Sequence, residues 1–375
     1  MTASLRVAVR NDPTRDPGKV PDPPRSARAG EAGAPARDRP SLADHIDHPS
    51  GFLALSSRNL RFSVPELEGF VPFRRQGRHR LVPGGVHAPE DSRADLLDAF
   101  LRDAAHDDEQ VVALQVRARD VDLFRSRGFR VDAFGSTFAL ALPRFSFAGT
   151  KRMKLRNRIK RARDAGVTVF ELGRDRACPP DLWRRLADIS RAWLATKGGH
   201  ELDLLVGEMG EAGDPNRRLF VALDRQQQPL GFITYVPVWG ERPGVLHDLT
   251  RRAPDAPAGV MELCNATALA RFQDEGIRFL HFGFTPFLVG MGGAAVERPD
   301  HWLVPRLVRL IGRWGSAIYP ARTQLQYKQK WAPEIVETEY IAFQQVSLGA
   351  LFALLIATRS LVLPWRKALP APEAT

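Results

Sequence analysis

The sequence is poor in cysteine, which limits the ways in which its fold can be stabilised. Its 375 residues include two cysteines, Cys178 and Cys264. Two thiols are too few for a disulfide framework or a zinc cluster, and no histidine–cysteine spacing of the zinc-binding type occurs. We therefore expect no metal. A reducing, cytoplasmic compartment fits this composition.

Long apolar runs are also lacking. The N-terminal segment has no apolar stretch of the secretory type, and no segment is long enough to predict a membrane span. Near the C-terminus, however, residues 340–358 carry no charge, and Arg359, Arg366 and Lys367 follow. An apolar helix beside cations can lie on an anionic membrane surface. The pattern predicts peripheral contact through 346–367 at the inner face of the plasma membrane, and a helix that only packs against the protein is the alternative.

Negative charge is in the minority. The chain has 43 Asp and Glu residues against 54 Lys and Arg residues, which gives a formal net charge of +11. Such a surface attracts phosphates, so nucleic acid or an anionic membrane is the natural partner. A genome that favours arginine would produce the same excess without any such partner.

Hydrophobic periodicity is absent from the first residues and clear in the rest of the chain. Residues 1–49 are rich in Pro, Gly, Ala, Arg and Asp, and predict a disordered tail. Strand and helix patterns then alternate in two similar units, and the order of elements in the second unit resembles a GNAT acyltransferase domain. We predict an α/β (α+β) fold of tandem GNAT-like domains at 50–145 and 146–345, followed by an apolar and basic tail at 346–375.

The most distinctive segment is a strand that ends in Asp-x-x-Arg, at Asp248 and Arg251. A proline-rich turn follows, and a helix then opens with the segment from Gly259 to Glu262. Two charged side chains cannot lie on a buried strand without partners, and the N-terminus of a helix attracts anions. The pattern indicates a functional site at the strand end. A salt bridge that stabilises the turn is the alternative.

Glycine and lysine mark two later segments. Gly283 and Thr285 follow a strand predicted at 278–282, and a glycine at such a position lets the backbone approach a ligand closely. Lys328 and Lys330 alternate along an apparent strand, so both would point to one face, where an anion would have to separate their charges. An ordinary turn and two exposed lysines on an edge strand are the alternatives.

Taken together, these segments resemble the catalytic domain of the phosphatidylglycerol lysyltransferases. The matching motifs are the segments at 248–262, 282–287 and 327–333, the linker at 145–149 and the helix start Lys154-Leu155-Arg156. The resemblance covers about residues 51–343 and implies a stand-alone form without the flippase half of the full-length enzymes. It implies transfer of lysine or a similar amino acid from aminoacyl-tRNA to the hydroxyl of phosphatidylglycerol. Because the aminoacyl ester is already activated, we expect no cofactor, with aminoacyl-tRNA as the co-substrate.

The resemblance implies a different role in the reaction for each of the motif residues. We expect Asp248 to hold the amino group or relay the acceptor proton, and Arg251 to bind phosphate or developing negative charge. Lys328 and Lys330 would clamp a phosphate of the donor or the lipid. The other residues expected to bind substrate are Gly259, Glu262, Gly283 and Thr285.

The densest run of positive charge includes a helix predicted at 155–165 and the residues just before it. Its cations are Lys151, Arg152, Lys154, Arg156, Arg158 and Lys160. A helix that neutralises several phosphates binds nucleic acid with a steep salt dependence. We expect tRNA contact here. The alternative is a solvated helix that turns Leu155, Ile159 and Ala162 inward.

Three other functions stay open at this point. The acceptor could be a small natural-product intermediate instead of a lipid. An acyl-CoA-dependent GNAT acetyltransferase would need a pyrophosphate loop of the Arg/Gln-x-x-Gly-x-Gly/Ala type, which residues 253–259 lack. A non-catalytic protein that binds tRNA or a membrane is the last alternative.

Overall fold

The computed structural model describes residues 42–196, 204, 207, 209–211, 213–289 and 321–357. Within these ranges, eleven strands form one sheet: β1 (Leu60–Phe62), β2 (Val71–Gln76), β3 (His79–Pro83), β4 (Gln110–Arg117), β5 (Arg130–Ala141), β6 (Thr168–Leu172), β7 (Arg218–Leu223), β8 (Pro229–Val238), β9 (Gly244–Arg252), β10 (Phe279–Pro286) and β11 (Ile335–Phe343). The α-helices in the same ranges are α1 (Glu90–His106), α2 (Val121–Arg125), α3 (Met153–Asp164), α4 (Pro180–Ala195), α5 (Val260–Asp274), α6 (Ala321–Gln329) and α7 (Leu348–Ala357).

The sheet runs in the order β1-β2-β3-β4-β11-β5-β10-β9-β8-β7-β6. The β3–β4 and β9–β10 pairs are parallel, and the other neighbours are antiparallel. Strand β11 comes late in the chain but lies between β4 and β5, so the two predicted units share one sheet. This mixed sheet with its helices confirms the α/β fold class and is consistent with GNAT-like units. The boundary between 145 and 146 stays a prediction.

Helices cover both faces of the half of the sheet that includes β7, β8 and β9. Along β7, Phe220 and Ala222 join the core under α3 and α5, whereas Leu219 and Val221 join the core under α4. This alternation is the two-residue period of a strand, and a strand covered on both faces becomes apolar on both. The α3/α5 face and the α4 face are therefore separate surfaces of one sheet.

Helix α5 begins where the chain approaches α3 closely. Gly259 precedes it with a φ of +97°, a left-handed conformation that side chains disfavour. A Cβ at this position would also overlap the carbonyl oxygen of Arg158 in α3. Glycine is required here for both reasons.

The strand predicted around Lys328 and Lys330 is wrong. Helix α6 extends through Gln329, so Lys328 lies in its last turn and Lys330 follows the helix. Tyr327 and Trp331 are four residues apart and pack into the same core, with ring centroids 6.3 Å apart. That spacing suits a helical turn and would place the two rings on one face together.

The strand predicted at 278–282 is too short at its end, and the alternative of an ordinary turn at Gly283–Thr285 is wrong. Strand β10 continues through Pro286 and stays paired with β5, with an irregularity in register between His281 and Gly283. Gly283 and Thr285 are thus strand residues. Pairing with a strand from the first predicted unit extends β10, and the local sequence contains no sign of that partner.

The two ends of the described chain are more structured than predicted. Ile46 and His48 are buried, so the predicted disordered tail is too long at its end, and residues 1–41 lie outside the described part. At the other end, one face of α7 packs into a core with Leu81 and Phe343. Its other face is open, with Leu348 79% and Phe352 52% exposed.

Membrane contact through 346–367 stays a prediction, and residues 358–367 lie outside the described part. In the portion of the chain that the structure describes, no helix combines the length and apolar character needed to cross a bilayer.

Candidate functional site

A β-bulge in β9 shapes the Asp-x-x-Arg segment. The register with β8 shifts so that Asp248 and Leu249 together lie opposite the single residue Thr234. The Thr234 hydroxyl accepts a hydrogen bond from the Leu249 N–H at 3.0 Å. In a regular strand Asp248 and Arg251 would point to opposite faces. The extra residue puts both side chains on the α4 face of the sheet.

Arg251 reaches α4 from this face. Its Nε donates to the Ser190 hydroxyl at 3.1 Å, and its guanidinium lies 4.4 Å from the centre of the Trp193 ring. A further bond runs from Nη1 to the Thr250 carbonyl at 3.0 Å. Burial lowers the pKa of Arg251 to about 10, so the group is still cationic at neutral pH. The site therefore holds a fixed positive charge on a stacking ring.

Asp248 forms a buried ion pair with Arg217, a residue just before β7. Arg217 Nη1 donates to Asp248 Oδ2 at 2.7 Å, and the two side chains are 9% and 3% exposed. The Arg217 guanidinium also lies 5.5 Å from the centre of the Phe52 ring. Gly207 packs so closely against the carboxylate that a Cβ there would overlap it. The carboxylate is held from two sides.

A cavity of about 470 Å³ lies beside this ion pair. Its wall includes Arg217 and Gly207, which both contact Asp248, together with Phe52 and Leu55 from a 3-10 segment and Arg74 from β2. The volume is within the range of about 300–1,000 Å³ that small-molecule sites occupy. Asp248 is therefore separated from a ligand-sized space by the residues that hold it.

Lys328 connects α6 to β10. Its buried ammonium donates to the Gly283 carbonyl at 2.7 Å, the Phe284 carbonyl at 3.2 Å and the Thr285 hydroxyl at 2.7 Å. Burial lowers the pKa of Lys328 to about 7. Lys328, Gly283 and Thr285, which were predicted to bind substrate, are thus close together. In this structure, however, Lys328 bonds to the other two residues.

Lys330 points to a different partner. Its Nζ donates to Glu262 Oε1 at 2.8 Å, and Arg158 Nη1 donates to the same oxygen at 3.3 Å. The expectation that Lys328 and Lys330 converge on one spot is therefore wrong, because Lys328 lies in the last turn of α6 and Lys330 follows the helix, so the two side chains point in different directions. Lys330 and Arg158 thus both bind the carboxylate of Glu262, which lies in the first turn of α5.

The strands β9 and β10 separate next to the site. Their parallel pairing covers Gly244–Leu246 and Phe279–His281, after which each strand continues without the other. Tyr327 from α6 lies at this gap, with its ring centroid 5.7 Å from that of His247. Burial lowers the pKa of His247 to about 3, which keeps the imidazole neutral.

The predicted tRNA-binding cations lie on α3 and the 3-10 turn before it, and most of them have protein partners. Arg152 lies 4.6 Å from the centre of the Phe145 ring, Arg156 donates to two carbonyls in its own linker, and Lys160 pairs with Asp164. Lys151 and Lys154 are exposed. Leu155, Ile159 and Ala162 are buried, as the sequence predicts.

Sequence reasoning missed Arg217, Ser190 and Trp193. Arg217 is one of many arginines, and nothing in its neighbourhood separates it from the others. Helical spacing in the sequence puts Trp193 on the same face of α4 as Leu182 and Leu186, but only the tertiary structure shows that its ring lies against Arg251. These residues are identified by their contacts in the folded protein and not by any pattern in the sequence.

The family model for the C-terminal part of phosphatidylglycerol lysyltransferase matches residues 39–343. The chain belongs to this family. The matched range spans the positions of Asp248, Arg251, Lys328 and Lys330.

Curated members of the family are longer than this chain. The lysylphosphatidylglycerol biosynthesis bifunctional protein LysX of Mycolicibacterium gilvum is 27% identical over 258 residues, which is 67% of this chain and 22% of that protein. LysX of Nocardia farcinica is 25% identical over 296 residues, which is 78% of this chain and 26% of that protein. The chain thus spans about a quarter of the length of these relatives.

Solved structures support the fold of this phosphatidylglycerol lysyltransferase-family chain. L-PGS from Bacillus licheniformis is 18% identical with a TM-score of 0.68, over 84% of this chain and 93% of that chain. A C-terminal DUF2156 domain from Agrobacterium fabrum is 19% identical with the same TM-score of 0.68, over 85% and 93%. At these identities the likeness concerns the fold alone.

Proposed function

We propose that the chain is an aminoacyltransferase that moves an amino acid from aminoacyl-tRNA to the hydroxyl of phosphatidylglycerol. Membership of the lysyltransferase family supports this assignment. The observation that carries it is the placement of Asp248 and Arg251 on one face of β9, with Asp248 held by Arg217, a residue in the wall of a cavity of about 470 Å³. A carboxylate that accepts a proton and a guanidinium that stabilises negative charge are the groups that an acyl transfer needs.

The reaction exchanges one ester for another. The acceptor hydroxyl attacks the carbonyl of the aminoacyl ester, a new ester bond forms, and the bond to the terminal ribose breaks. The proton leaves the acceptor hydroxyl and ends on the ribose oxygen. Because the donor ester is already activated, the exchange requires no metal or redox cofactor, and we propose none. Catalysis then depends on holding two substrates together and stabilising the tetrahedral oxyanion.

Two residues would serve that chemistry. Asp248 would accept the proton of the attacking hydroxyl and pass it on, and Arg251 would stabilise the negative charge that develops on the carbonyl oxygen. The Trp193 ring and the Ser190 hydroxyl limit the movement of Arg251. A charge that is fixed before the reaction does not have to reorganise during it.

The tRNA would approach the α3/α5 face, and its aminoacyl end would reach Asp248 and Arg251 on the α4 face through the gap where β9 and β10 separate. Lys151 and Lys154 are exposed on the α3/α5 face and are able to reach phosphates, whereas Lys160 already pairs with Asp164. The lipid would be met at a membrane surface, where the exposed Leu348 and Phe352 of α7 would enter the headgroup region.

The test is a transfer assay with purified protein. Charged, labelled tRNAs are incubated with vesicles that contain phosphatidylglycerol or with a cytosolic metabolite extract, each with and without RNase. We expect RNase-sensitive label in the lipid and a large loss of turnover in Asp248→Asn and Arg251→Ala. Label found in a metabolite would make the small-molecule acceptor correct instead. Wild-type turnover in both variants would refute the assigned roles.

A further inference from the structure

Two side chains flank the β9 bulge on the α3/α5 face of the sheet. His247 and Thr250 are the residues on either side of the bulged pair, and they lie opposite Tyr235 and Ile233 of β8. Both β8 residues pack into the core under α3 and α5. Residues directly opposite each other on antiparallel strands point to the same face. The side chains of His247 and Thr250 therefore leave β9 on the face opposite to that of Asp248.

These two side chains are bonded to each other across the bulge. A hydrogen bond of 2.5 Å joins His247 Nε2 and Thr250 Oγ1. In a regular strand, residues three positions apart point to opposite faces, so their side chains cannot meet. The extra residue of the bulge brings them to one face. A bond that the bulged strand makes and a regular strand cannot make stabilises the bulge relative to the regular strand.

The imidazole is the fixed end of this bond. It is buried, with its ring centroid 5.4 Å from that of Tyr235 and 5.7 Å from that of Tyr327. The Asn265 side chain lies next to the imidazole and accepts a hydrogen bond from the Tyr235 hydroxyl. Thr250 is only partly buried. The packed ring therefore holds the threonine, and the backbone at Thr250 follows.

Each end of the bond is one peptide away from a residue of the candidate site. Asp248 directly follows His247, and Arg251 directly follows Thr250. The Thr250 carbonyl also accepts a hydrogen bond from Arg251 Nη1 at 3.0 Å. If the bulge relaxed to a regular strand, Asp248 and Arg251 would point to opposite faces.

We propose that His247 and Thr250 are positioning residues, whose hydrogen bond holds the bulge that keeps Asp248 and Arg251 on one face of the sheet. The inference rests on the proposed function. In this role neither residue contacts a substrate. Their contribution belongs to kcat, because a displaced Asp248 or Arg251 loses interactions made in the transition state.

The test is a double-mutant cycle. His247→Phe keeps an aromatic ring and removes Nε2, whereas Thr250→Val keeps the branched shape and removes the hydroxyl. Thr250→Ser restores the hydroxyl. The matched control is His281→Phe, because His281 is also buried, lies on the neighbouring strand β10 and bonds through Nε2, to the Arg242 carbonyl at 2.9 Å. The transfer assay gives kcat and KM, and hydrogen exchange of the 247–252 backbone reports the bulge directly.

We expect His247→Phe and Thr250→Val each to lower kcat by about tenfold to a hundredfold, with KM within about twofold of the wild type. The double variant should lose no more than one single variant, since both replacements remove the same bond. Exchange of the 247–252 amides should be faster in these three variants. Thr250→Ser should recover both kcat and slow exchange, and His281→Phe should resemble the wild type.

Two results would overturn the proposal. One is wild-type kcat in Thr250→Val. The other is a set of losses that multiply in the double variant, since the two residues would then act independently. An equal loss in His281→Phe would also contradict it, because any buried histidine would have the same effect. If His247→Phe does not fold, the comparison of Thr250→Val with Thr250→Ser still decides.

Hydrogen exchange separates this inference from the proposed function. Faster exchange in the variants of a protein that transfers no amino acid would leave the bond across the bulge standing and remove the function. Transfer by the wild type, with exchange and kcat unchanged in the variants, would leave the function and remove the positioning role.

Discussion

The bulge in β9 is the local structure on which the site depends, and replacing Thr234 by valine tests it. The Thr234 hydroxyl is fully buried and accepts the Leu249 N–H at 3.0 Å. Valine has nearly the same shape but no acceptor, so a buried backbone N–H loses its partner. That loss costs about 1–3 kcal/mol. Each kcal/mol lowers the melting temperature by roughly 2–4 °C in domains of 150–250 residues.

Turnover should fall further than stability alone explains. Relaxation of the bulge moves Asp248 relative to Arg251, and a misplacement of about 1 Å costs on the order of 10²-fold in rate. The control is Thr267→Val in α5, where the hydroxyl only adds a bond to the Leu263 carbonyl within the helix. Thermal melts and the transfer assay are run on both variants. If Thr234→Val and Thr267→Val behave alike in both assays, the hydroxyl does not hold the bulge and our reasoning is refuted.

Three further predictions concern single contacts. Trp193→Leu removes the ring beneath Arg251 and should lower kcat more than it changes KM, with activity restored in Trp193→Phe; equal effects of both replacements would contradict a role for the ring. Burial raises the pKa of Glu339 to about 8 from an ordinary 4.5, so the folded state keeps a proton that the unfolded state releases, and stability should fall as pH rises through that window. Denaturant titrations should show a flatter pH dependence in Glu339→Gln. For tRNA binding, Lys154→Ala should lower the slope of log K against log salt by about 0.7–0.9, and Lys160→Ala by less, because Asp164 already holds Lys160.

The regular elements near the site are largely a property of the sequence. The spacing of apolar residues predicts helices at 155–165, 181–195 and 259–275 and strands at 219–224 and 231–238. These bounds lie within two residues of the observed α3, α4, α5, β7 and β8. The inward face of α3 follows from the same period. Where the local pattern and the final packing agree, hydrophobic periodicity is sufficient to predict the position of a helix or strand.

The errors occur where a distant partner decides the structure. A short segment such as Tyr327–Trp331 satisfies both a strand and a helix pattern, and the core that receives its two aromatic rings selects the helix. The extension of β10 through Pro286 depends on β5, a strand more than a hundred residues earlier. Neither partner leaves a trace in the local sequence.

The sequence by itself determined the family motifs, the basic helix and the presence of Asp248 and Arg251 at one strand end. Only the tertiary structure decided that these two side chains share a face, because a bulge depends on the register with β8. It also decided that Arg217, distant in sequence, holds Asp248. Charge pairs and registers are set by which strands become neighbours, and that choice is made by the packing of the whole sheet.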